Sequence, residues 1–416
     1  MSSTFPTAQA EVTAEWLSEQ LPQKVESFTI NKIGMGFTAD AHKIEAKMAD
    51  GSDQIYILKL PHSLGLEKQK QHANDCKIEV IFYREFADKV PIKTCKHYAA
   101  CIDEKEPWKW CLLLDNLATP DMMEFPLWFG NPTIYPDPNI YTEVVPAVQA
   151  ELAKMHAWGW KHELLDSHPI CQVQKAGKGL NLTCGLLCTG LKLWQPFRDT
   201  GMTAGEYYWT INNEESCKLL GVEDLSLPVV QKSRAFLKRL CTEEGRLCCQ
   251  KICQVLDKGP HTFIHGDGHP GNVFYNKKDR NLTFIDFQLV GRAPPGVDLV
   301  QSMMLVIPSD PSGNHKKYVQ AYYDKLVEAK PEIREEYSFE TCFRDYRWAM
   351  VVYYAAVVLY DIDNKITMIR EVKEGGRESS PLVQAMGLVN LFEKYYGNMQ
   401  DLGLYNIFDE VEANSA

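Results

Sequence analysis

The sequence predicts an α+β chain in two lobes: a small N-terminal lobe with an antiparallel β-sheet and one main helix, and a larger, mainly helical C-terminal lobe. Three observations predict this. At 416 residues the chain exceeds the size at which one hydrophobic core usually stops growing. Strand-like runs are concentrated before residue 117, whereas apolar residues at helical spacing dominate the later part. We therefore divide the chain into 1–117 and 118–416, with an insertion at about 162–259.

Composition limits the classes of function. With 45% hydrophobic and 24% charged residues, the chain has the make-up of an ordinary globular protein. Its formal charge of −11 and the lack of a basic stripe argue against a nucleic-acid partner. Thirteen cysteines are too dilute for a disulfide scaffold, and the N-terminus has no signal-peptide pattern. We expect a reduced, cytoplasmic protein and infer no obligate protein partner.

No membrane span is expected either. The longest apolar stretch, Trp348 to Tyr360, is shorter than the roughly 20 residues that a spanning helix needs. We interpret it as a buried core helix. Cys248, Cys249 and Cys253 lack the paired Cys or His residues of a zinc site, so core packing is favoured over metal binding there.

The N-terminal lobe begins with a predicted helix from Thr13 to Glu26, with Thr13 as its N-cap. Alternating or β-branched runs then predict five strands, and a polar connector from Pro61 to Asn74 leads to one helix through Cys76 to Phe86. The five predicted strands are 28–33, 41–46, 54–60, 98–102 and 110–114.

The C-terminal lobe is predicted to be mainly helical. Pro120 to Pro138 contains five prolines, which argues for an irregular crossover. Apolar spacing then predicts helices, with an irregular glycine-bearing stretch from Gly177 to Gly190. The predicted helices are 142–160, about 209–220, 229–256, one starting within 292–299, 315–330, 339–360 and 381–396.

The most informative stretch is His265-Gly266-Asp267-Gly268-His269-Pro270-Gly271-Asn272, followed by a predicted hairpin whose second strand ends in Ile285-Asp286-Phe287-Gln288. The hairpin brings two carboxylates, an amide and two imidazoles together beside buried strands. Asp267 and Asn272 have the spacing of a kinase catalytic loop. Asp286 follows them at the position of the Asp that binds the metal ion in kinases. The pattern predicts phosphoryl transfer.

These two strings resemble the catalytic signature of the aminoglycoside phosphotransferase and choline kinase-like superfamily. The motif in which Phe287-Gln288 follows Asp286 resembles most closely that of the ecdysteroid kinase-like (CHK kinase-like) branch. The resemblance implies a bilobal protein kinase-like fold and an ATP-dependent phosphotransferase that uses Mg²⁺. Asp267 is then expected to orient the acceptor hydroxyl and take its proton, while Asn272 and Asp286 hold Mg²⁺.

The resemblance also assigns nucleotide-binding residues to the N-terminal lobe. Lys59 resembles the lysine that grips the nucleotide phosphates, although a strand-end lysine reaching to water is the alternative. Glu79 is expected to pair with Lys59, with Glu85 as the competing choice. A second set is expected to contact the nucleotide through the glycine turn and through the link between the lobes: Gly34, Gly36, Thr38, Leu114, Asp115 and Leu117. A plain hairpin remains the alternative for the glycine turn.

His265, His269 and Asp298 are expected to support the catalytic loop. For Asp298 the resemblance implies a tie between that loop and the C-terminal lobe, and an acidic residue stabilising a helix start is the alternative. His156 is expected to be a buried structural histidine.

The function predicted from these residues is transfer of the γ-phosphate of ATP to a hydroxyl of a small molecule. An alcohol, a sterol-like alcohol, an amino alcohol or a sugar all remain open as acceptors. Two alternatives are a kinase-fold protein that binds nucleotides without chemistry, and a protein kinase. His265-Gly266-Asp267 in place of His-Arg-Asp argues against the protein kinase.

Overall fold

The computed structural model describes residues 5–35, 38–124, 143–172, 192–211, 213–219, 225–304, 314–376 and 399–414. These residues form two compact units. The first unit combines the described residues up to 124 with His265–Asp267 and Asn272–Val290, and the second contains the rest. An N-terminal antiparallel sheet and a mostly helical larger part confirm the expected fold class.

The first unit is built on a five-stranded antiparallel sheet in the order β1-β2-β3-β5-β4. All five predicted strands are confirmed, each one to three residues longer at one or both ends. The strands are β1 (Val25–Met35), β2 (Ala39–Met48), β3 (Asp53–Pro61), β4 (His97–Ile102) and β5 (Trp110–Asp115).

One face of this sheet is covered by the N-terminal segment. Helix α1 spans Ala14–Gln20, and Thr13 caps it as predicted, its hydroxyl accepting from the Trp16 N–H at 3.1 Å. The helix ends earlier than predicted because Val25 already pairs in β1. Trp16 and Leu17 pack on alternating buried residues of β2, including Ile44. Because successive side chains of a strand point to opposite faces, burial alternates along β2.

Helix α2 (Leu66–Glu85) corrects the prediction of a polar connector up to Asn74. Its first turns are polar, but Glu, Lys and Gln favour helix, and apolar packing by Ala73 and Cys76 orders the segment. Gly65 precedes the helix at φ 102°, which only glycine adopts readily. The helix carries Glu79 on its buried side.

The hairpin that follows residue 272 belongs to the first unit. Strand β8 (Val273–Asn276) pairs antiparallel with β9 (Leu282–Phe284), as predicted, and with β6 (Met122–Glu124). Strand β6 corrects the expectation that the crossover is irregular from Pro120 onwards. The rest of that crossover, from residue 125 to 138, lies outside the described residues.

The second unit is mainly helical. The described helices up to Lys258 are α3 (Val145–Gly159), α4 (Leu164–Ser167), α5 (Pro169–Gln172), α6 (Ala204–Ile211), α7 (Glu214–Leu219), α8 (Pro228–Leu240) and α9 (Glu243–Lys258). A two-stranded ladder of β7 (Thr262–Ile264) with β10 (Gly291–Ala293) follows. The later helices are α10 (Gly296–Met304), α11 (Asn314–Ala329), α12 (Ile333–Glu336), α13 (Phe339–Gly375) and α14 (Ile407–Ala413).

Two predicted helices are each divided in two. Residues 229–256 form α8 and α9, because the chain turns at Cys241 and Thr242. A Cβ on Gly245 would lie 2.0 Å from the Leu240 carbonyl oxygen, so this close approach requires glycine. Similarly, residues 209–220 divide between α6 and α7. The predicted helix at 381–396 and the stretch from Gly177 to Gly190 lie outside the described residues.

Helix α13 is 37 residues long and contains the apolar stretch that the sequence places in the core. Trp348, Met350 and Val351 are fully buried. No helix in the described part of the chain is both long and apolar enough to cross a membrane. Cys249 and Cys253 are also fully buried in the helical core, as expected for packing, and the described residues contain no cluster of three or more His, Cys, Asp or Glu side chains suited to a metal.

Asp40 organises a buried polar cluster beside the glycine turn, which the sequence did not reveal. Its carboxylate accepts from Lys32 Nζ, His62 Nδ1 and the Ser63 N–H, each at 2.9 Å. Burial alone would raise the pKa of Asp40, but the hydrogen bonds from Lys32 and Ser63 outweigh it and lower the pKa from 3.8 to about 2. The cluster ties β1, β2 and the residues after β3 together.

We expect Asp40→Asn to lower the free energy of unfolding by about 2 kcal/mol at neutral pH, the equivalent of this pKa shift. Because the folded pKa is depressed, the stabilisation is complete above pH 4 and is lost as the pH falls towards 2. Urea unfolding of both proteins between pH 7 and pH 3 measures the difference. Glu45→Gln, in the exposed Lys43–Glu45 pair on the same strand, is the control and should change little. A difference that does not depend on pH would contradict the prediction.

Candidate active site

Lys59 lies at the centre of a three-membered charge cluster within the first unit. Strand β3 positions it opposite Ala41 of β2 and Leu112 of β5, which sets the face on which its side chain lies. Its Nζ donates to both Glu79 carboxylate oxygens at 2.8 and 2.7 Å and to Asp286 Oδ1 at 3.0 Å. Three acceptors match the three N–H bonds of the ammonium group.

Glu79, and not Glu85, is the carboxylate that reaches Lys59. The Glu79 side chain is 3% exposed and also accepts a hydrogen bond from the Phe287 backbone. Glu85 lies two turns further along α2 and pairs with its neighbour Arg84 at the surface. The open choice between the two glutamates is therefore decided, as far as contact is concerned, by the direction in which α2 faces the sheet.

The cluster holds its charges by mutual attraction. Burial opposes the charge on Lys59, yet the Asp286 and Glu79 carboxylates outweigh it and hold the lysine pKa above its ordinary value. For Asp286 burial again opposes ionisation, and Lys59 lowers the carboxyl pKa below its usual range. For Glu79 burial is the stronger effect, and its pKa is raised. At neutral pH this leaves an ammonium group and an ionised Asp286 in contact.

Asp267 and Asn272 are joined directly. Asn272 Nδ2 donates to the Asp267 carbonyl oxygen at 2.9 Å and to Asp267 Oδ2 at 3.0 Å. These two bonds fix which end of the amide is nitrogen. Asn272 Oδ1 has no hydrogen-bond partner among the described residues, so this buried side chain retains one oxygen for a ligand.

Ile285 connects this loop to Asp286. Its N–H donates to the Asn272 carbonyl at 3.0 Å, and its carbonyl accepts from His265 Nε2 at 3.1 Å. His265 Nδ1 accepts from the Asp267 N–H at 3.3 Å, so these bonds fit the tautomer protonated on Nε2. The buried His265 ring thus holds Asp267 beside the strand that delivers Asp286.

Asp286 adopts a left-handed backbone conformation with φ 64°. This region is uncommon for residues other than glycine, although Asp and Asn enter it more readily than most. The next residue, Phe287, is fully buried and stacks on Phe82 of α2 with ring centroids 3.8 Å apart. This packing stabilises the turn that aims the Asp286 carboxylate at Lys59.

Gly266 occupies a position that only glycine fills. Its φ is 82°, and a Cβ there would lie 1.9 Å from the Leu289 carbonyl oxygen. We expect Gly266→Ala to lower the free energy of unfolding by about 3 kcal/mol or more, since backbone has to move and a strained φ is imposed. Thermal unfolding measures the loss. Gly51→Ala is the matched control, because Gly51 also has a positive φ of 86° but open space around it.

A smaller loss in the free energy of unfolding for Gly266→Ala than for Gly51→Ala would contradict this explanation. In Gly51→Ala an alanine is also forced to a positive φ, but no atom lies close to its Cβ. The difference between the two variants therefore reports the close approach of Gly266 to Leu289.

The segment expected to contact the nucleotide base is largely committed to the sheet. Leu114 pairs with Ile57 on one side and His97 on the other. The Asp115 N–H donates to the Lys96 carbonyl, and its carboxylate accepts from the Tyr98 hydroxyl at 2.5 Å. The Leu117 carbonyl accepts from Thr119, whereas the Leu117 N–H has no described partner. Among these three residues, Leu117 retains the backbone group available to a ligand.

The glycine turn is described only in part. Gly34 pairs with Ala41 at the end of β1, and the Thr38 carbonyl accepts from Cys76 Sγ at 3.8 Å. Gly36 lies outside the described residues. The arrangement of the turn around a phosphate therefore stays a prediction.

The supporting residues of the second unit form their own network. His156 and Asp298 are both fully buried and joined at 3.0 Å, and Tyr322 bonds the other His156 nitrogen at 2.6 Å. This links α10, α3 and α11. His269 is half-buried in the same unit.

Sequence reasoning missed one buried amide beside the catalytic loop. Gln301 Oε1 accepts from the Gly268 N–H at 3.0 Å, and Gln301 is fully buried in α10. A polar residue inside an otherwise apolar helical stretch was the only signal that the sequence offered. Its partner cannot be read from that signal.

The residues of the first unit fit a divalent cation. Two carboxylates, those of Glu79 and Asp286, contact the ammonium group of Lys59, and Asn272 is bonded to Asp267. Asn272 Oδ1 and the Asp286 carboxylate are oxygen ligands of the kind that hard cations prefer. Two protein ligands are few, which suits Mg²⁺ completed by phosphate oxygens and water.

Comparison with protein families gives one match. Residues 187–336 match the model of the phosphotransferase enzyme family. The matched range contains Asp267, Asn272 and Asp286, and it excludes Lys59 and Glu79. No curated protein matches the chain by sequence.

Several solved structures resemble the chain. One, from Ralstonia eutropha JMP134, is provisionally assigned as an aminoglycoside phosphotransferase, with 11% identity, a TM-score of 0.46, and 95% of this chain and 97% of that chain covered. The ethanolamine kinase of Plasmodium vivax has 15% identity, a TM-score of 0.43 and coverage of 95% and 87%. A type I macrolide 2′-phosphotransferase has 13% identity, a TM-score of 0.43 and coverage of 90% and 94%. Likenesses at this level do not identify a substrate.

The family match covers the loop and hairpin from which the function was predicted. It supports the resemblance at the level of the superfamily, and it does not separate the ecdysteroid kinase-like branch from the others. The match shows that residues 187–336, which contain Asp267, Asn272 and Asp286, resemble the phosphotransferase enzyme family.

Proposed function

We propose that this protein transfers the γ-phosphate of ATP to a hydroxyl of a small molecule, with Mg²⁺ bound by Asn272 and Asp286. The observation that carries the proposal is the contact of Lys59 Nζ with both Glu79 and Asp286. Such a contact fixes an ammonium group next to the carboxylate that is proposed to bind the cation. Phosphoryl transfer depends on positioning and charge neutralisation of this kind.

Lys59, Glu79 and Asp267 have separate roles in the proposed reaction. Lys59 binds phosphate oxygens, and Glu79 keeps its long side chain in place. Asp267 accepts a hydrogen bond from the acceptor hydroxyl and takes its proton while the oxygen attacks the γ-phosphorus. The new P–O bond forms as the bond to the leaving diphosphate oxygen breaks. A divalent cation held by Asn272 and Asp286 would neutralise charge on the phosphate oxygens.

Hydrogen bonds hold the Asp267 carboxylate in place for its proposed role as the general base. Asn272 Nδ2 holds Oδ2 at 3.0 Å, and His265 holds the backbone N–H, so the side chain has little freedom to rotate away. Its other oxygen is the one proposed to meet the hydroxyl. Asp267 is only half-buried, which leaves it accessible to a small acceptor.

Nucleotide binding is proposed for residues 1–117, and catalysis and acceptor binding for 118–416. Within the first segment, the Leu117 N–H is the best candidate for a base contact, and Gly34, Gly36 and Thr38 are proposed to lie along the phosphates. The insertion at about 162–259 is proposed to select the acceptor.

Within the superfamily we assign the protein to the ecdysteroid kinase-like branch, because its motif Asp286-Phe287-Gln288 resembles the motif of that branch. The aromatic content between Pro120 and Trp194 favours an apolar, sterol-like alcohol over a cationic amino alcohol, and it does not decide for or against a sugar. We place the protein in the cytoplasm because its described cysteines are free thiols. The net charge of −11 argues against nucleic acid as a substrate.

The test is incubation of the purified protein with γ-labelled ATP and Mg²⁺, in one sample with a metabolite extract and in another with cell protein. We expect label in small molecules extractable into solvent and none in protein. Label in protein would indicate a protein kinase, and ATP binding without label transfer would indicate a silent nucleotide-binding protein. The Asp267→Asn protein is the control for contaminating kinases.

A further inference from the structure

Two cysteines face each other across the outer edge of the five-stranded sheet. Cys101 of the edge strand β4 lies directly opposite Cys111 of β5 in the antiparallel register. Directly opposed residues of antiparallel strands have Cα atoms roughly 4.5 to 5.5 Å apart. Disulfides span roughly 4.4 to 6.8 Å between Cα atoms, so the backbone already has a spacing that a disulfide accepts.

The two side chains lie on the same side of the sheet. Opposed residues of antiparallel strands project from the same face, where Cys111 belongs to a buried hydrophobic cluster and Cys101 packs against that cluster. Cys111 is fully buried, whereas Cys101 is half-buried. Of the cysteines in the described part of the chain, Cys101 is the only one that is not buried. A small oxidant can therefore reach Cys101 first.

The surroundings of the pair assign different roles to the two sulfurs. Interaction with the neighbouring Cys111 thiol is the main cause that lowers the pKa of Cys101 to about 7, with a smaller contribution from Arg84 that acts against burial. Interaction with Cys101 and burial raise the pKa of Cys111. Because the thiolate is the reactive form, Cys101 is the nucleophile, and Cys111 is the resolving thiol that reacts with the oxidised Cys101.

We propose that Cys101 and Cys111 form a redox-modification site that hydrogen peroxide converts into a reversible disulfide. The Cys101 thiolate attacks the peroxide, so that an S–O bond forms, the O–O bond breaks and hydroxide leaves. The Cys111 sulfur then attacks the Cys101 sulfenic acid, the S–S bond forms, the S–O bond breaks and the Cys111 proton ends in water. Two thiols lose two electrons and the peroxide is reduced to water. This proposal does not depend on the proposed function.

The disulfide would act on the edge of the sheet and leave the charge cluster untouched. Lys59 lies opposite Leu112, so its side chain and that of the adjacent Cys111 project from opposite faces. The link closes the short loop between β4 and β5 and ties the edge strand to its only described neighbour in the sheet. Since an edge strand is held on one side only, this link should raise the unfolding temperature.

The test uses the full chain, reduced and then treated with hydrogen peroxide. We expect two of the 13 thiols to be lost and to return with dithiothreitol. Trypsin cuts after Lys96, Lys105, Lys109 and Lys154, so it separates 97–105, which holds Cys101, from 110–154, which holds Cys111. The two peptides should be recovered as one disulfide-linked species, and the oxidised protein should melt several degrees higher.

Cys101→Ser should abolish both the linked species and the shift in melting. In Cys111→Ser, oxidation should stop at a Cys101 sulfenic acid that dimedone captures. Cys95→Ser is the matched control: Cys95 lies in the same unit, and its variant should still form the link. Because peptide mapping needs only the unaltered chain, a variant that fails to fold does not prevent the test. Recovery of peptide 97–105 unlinked after oxidation, or linked to another cysteine, would overturn the proposal.

Discussion

Asp267→Ala should reduce kcat by about 10²- to 10⁴-fold, the range over which a positioned general base acts. The carboxylate is the proposed acceptor of the hydroxyl proton, and no other carboxylate is bonded to the Asn272 amide among the described residues. Nucleotide affinity should be nearly unchanged, because Lys59 and Glu79 do not bond Asp267. Steady-state kinetics on the acceptor and calorimetric titration with a non-hydrolysable ATP analogue measure the two quantities.

Asp267→Asn separates the loss of the base from the loss of the hydrogen bond. The asparagine oxygen can still accept from Asn272 Nδ2, so the loop should keep its shape and its unfolding temperature. If Asp267→Asn retains near wild-type turnover, Asp267 is not the base. If both variants lose nucleotide affinity as well, the residue acts on the nucleotide and the proposed division of roles is wrong.

Asp286→Asn should reduce kcat at saturating Mg²⁺ by about 10²-fold or more and raise the Mg²⁺ concentration that gives half-maximal rate. The substitution keeps the shape of the side chain and removes the charge that it offers to a cation, and groups that stabilise transition-state charge contribute on this scale. It also leaves Lys59 with one carboxylate partner instead of two. Titration of the rate against Mg²⁺ measures both effects.

The matched control is Asp279→Asn. Asp279 lies on the same hairpin, but it is exposed and its carboxylate caps the Asn281 N–H in the turn. The control should leave kcat and the Mg²⁺ dependence unchanged. An Asp286→Asn protein with a normal Mg²⁺ dependence would show that Asp286 only holds Lys59 in place.

Much of the fold follows from local patterns. Period-two alternation correctly predicts the five strands of the sheet, and the capping hydroxyl of Thr13 begins α1 as expected. The first half of α2 was missed because its exposed polar residues carry no apolar period, and its order depends on packing against the sheet. The division of 229–256 into two helices was missed for a related reason: Gly245 is needed by a contact with Leu240 that sequence spacing does not reveal.

The sequence by itself determined the residue types of the candidate site and their order along the chain, since the loop through Asp267 and Asn272 and the strand ending in Asp286 are local features. Tertiary structure decided which groups meet. It brings Glu79 rather than Glu85 to Lys59, gathers the hairpin of residues 272–290 with the N-terminal sheet into one compact unit, and buries Asp40 between Lys32 and His62. Periodicity places a side chain on a face of its own strand or helix, whereas the partner on another element depends on how the elements pack, and that information is spread over the whole chain.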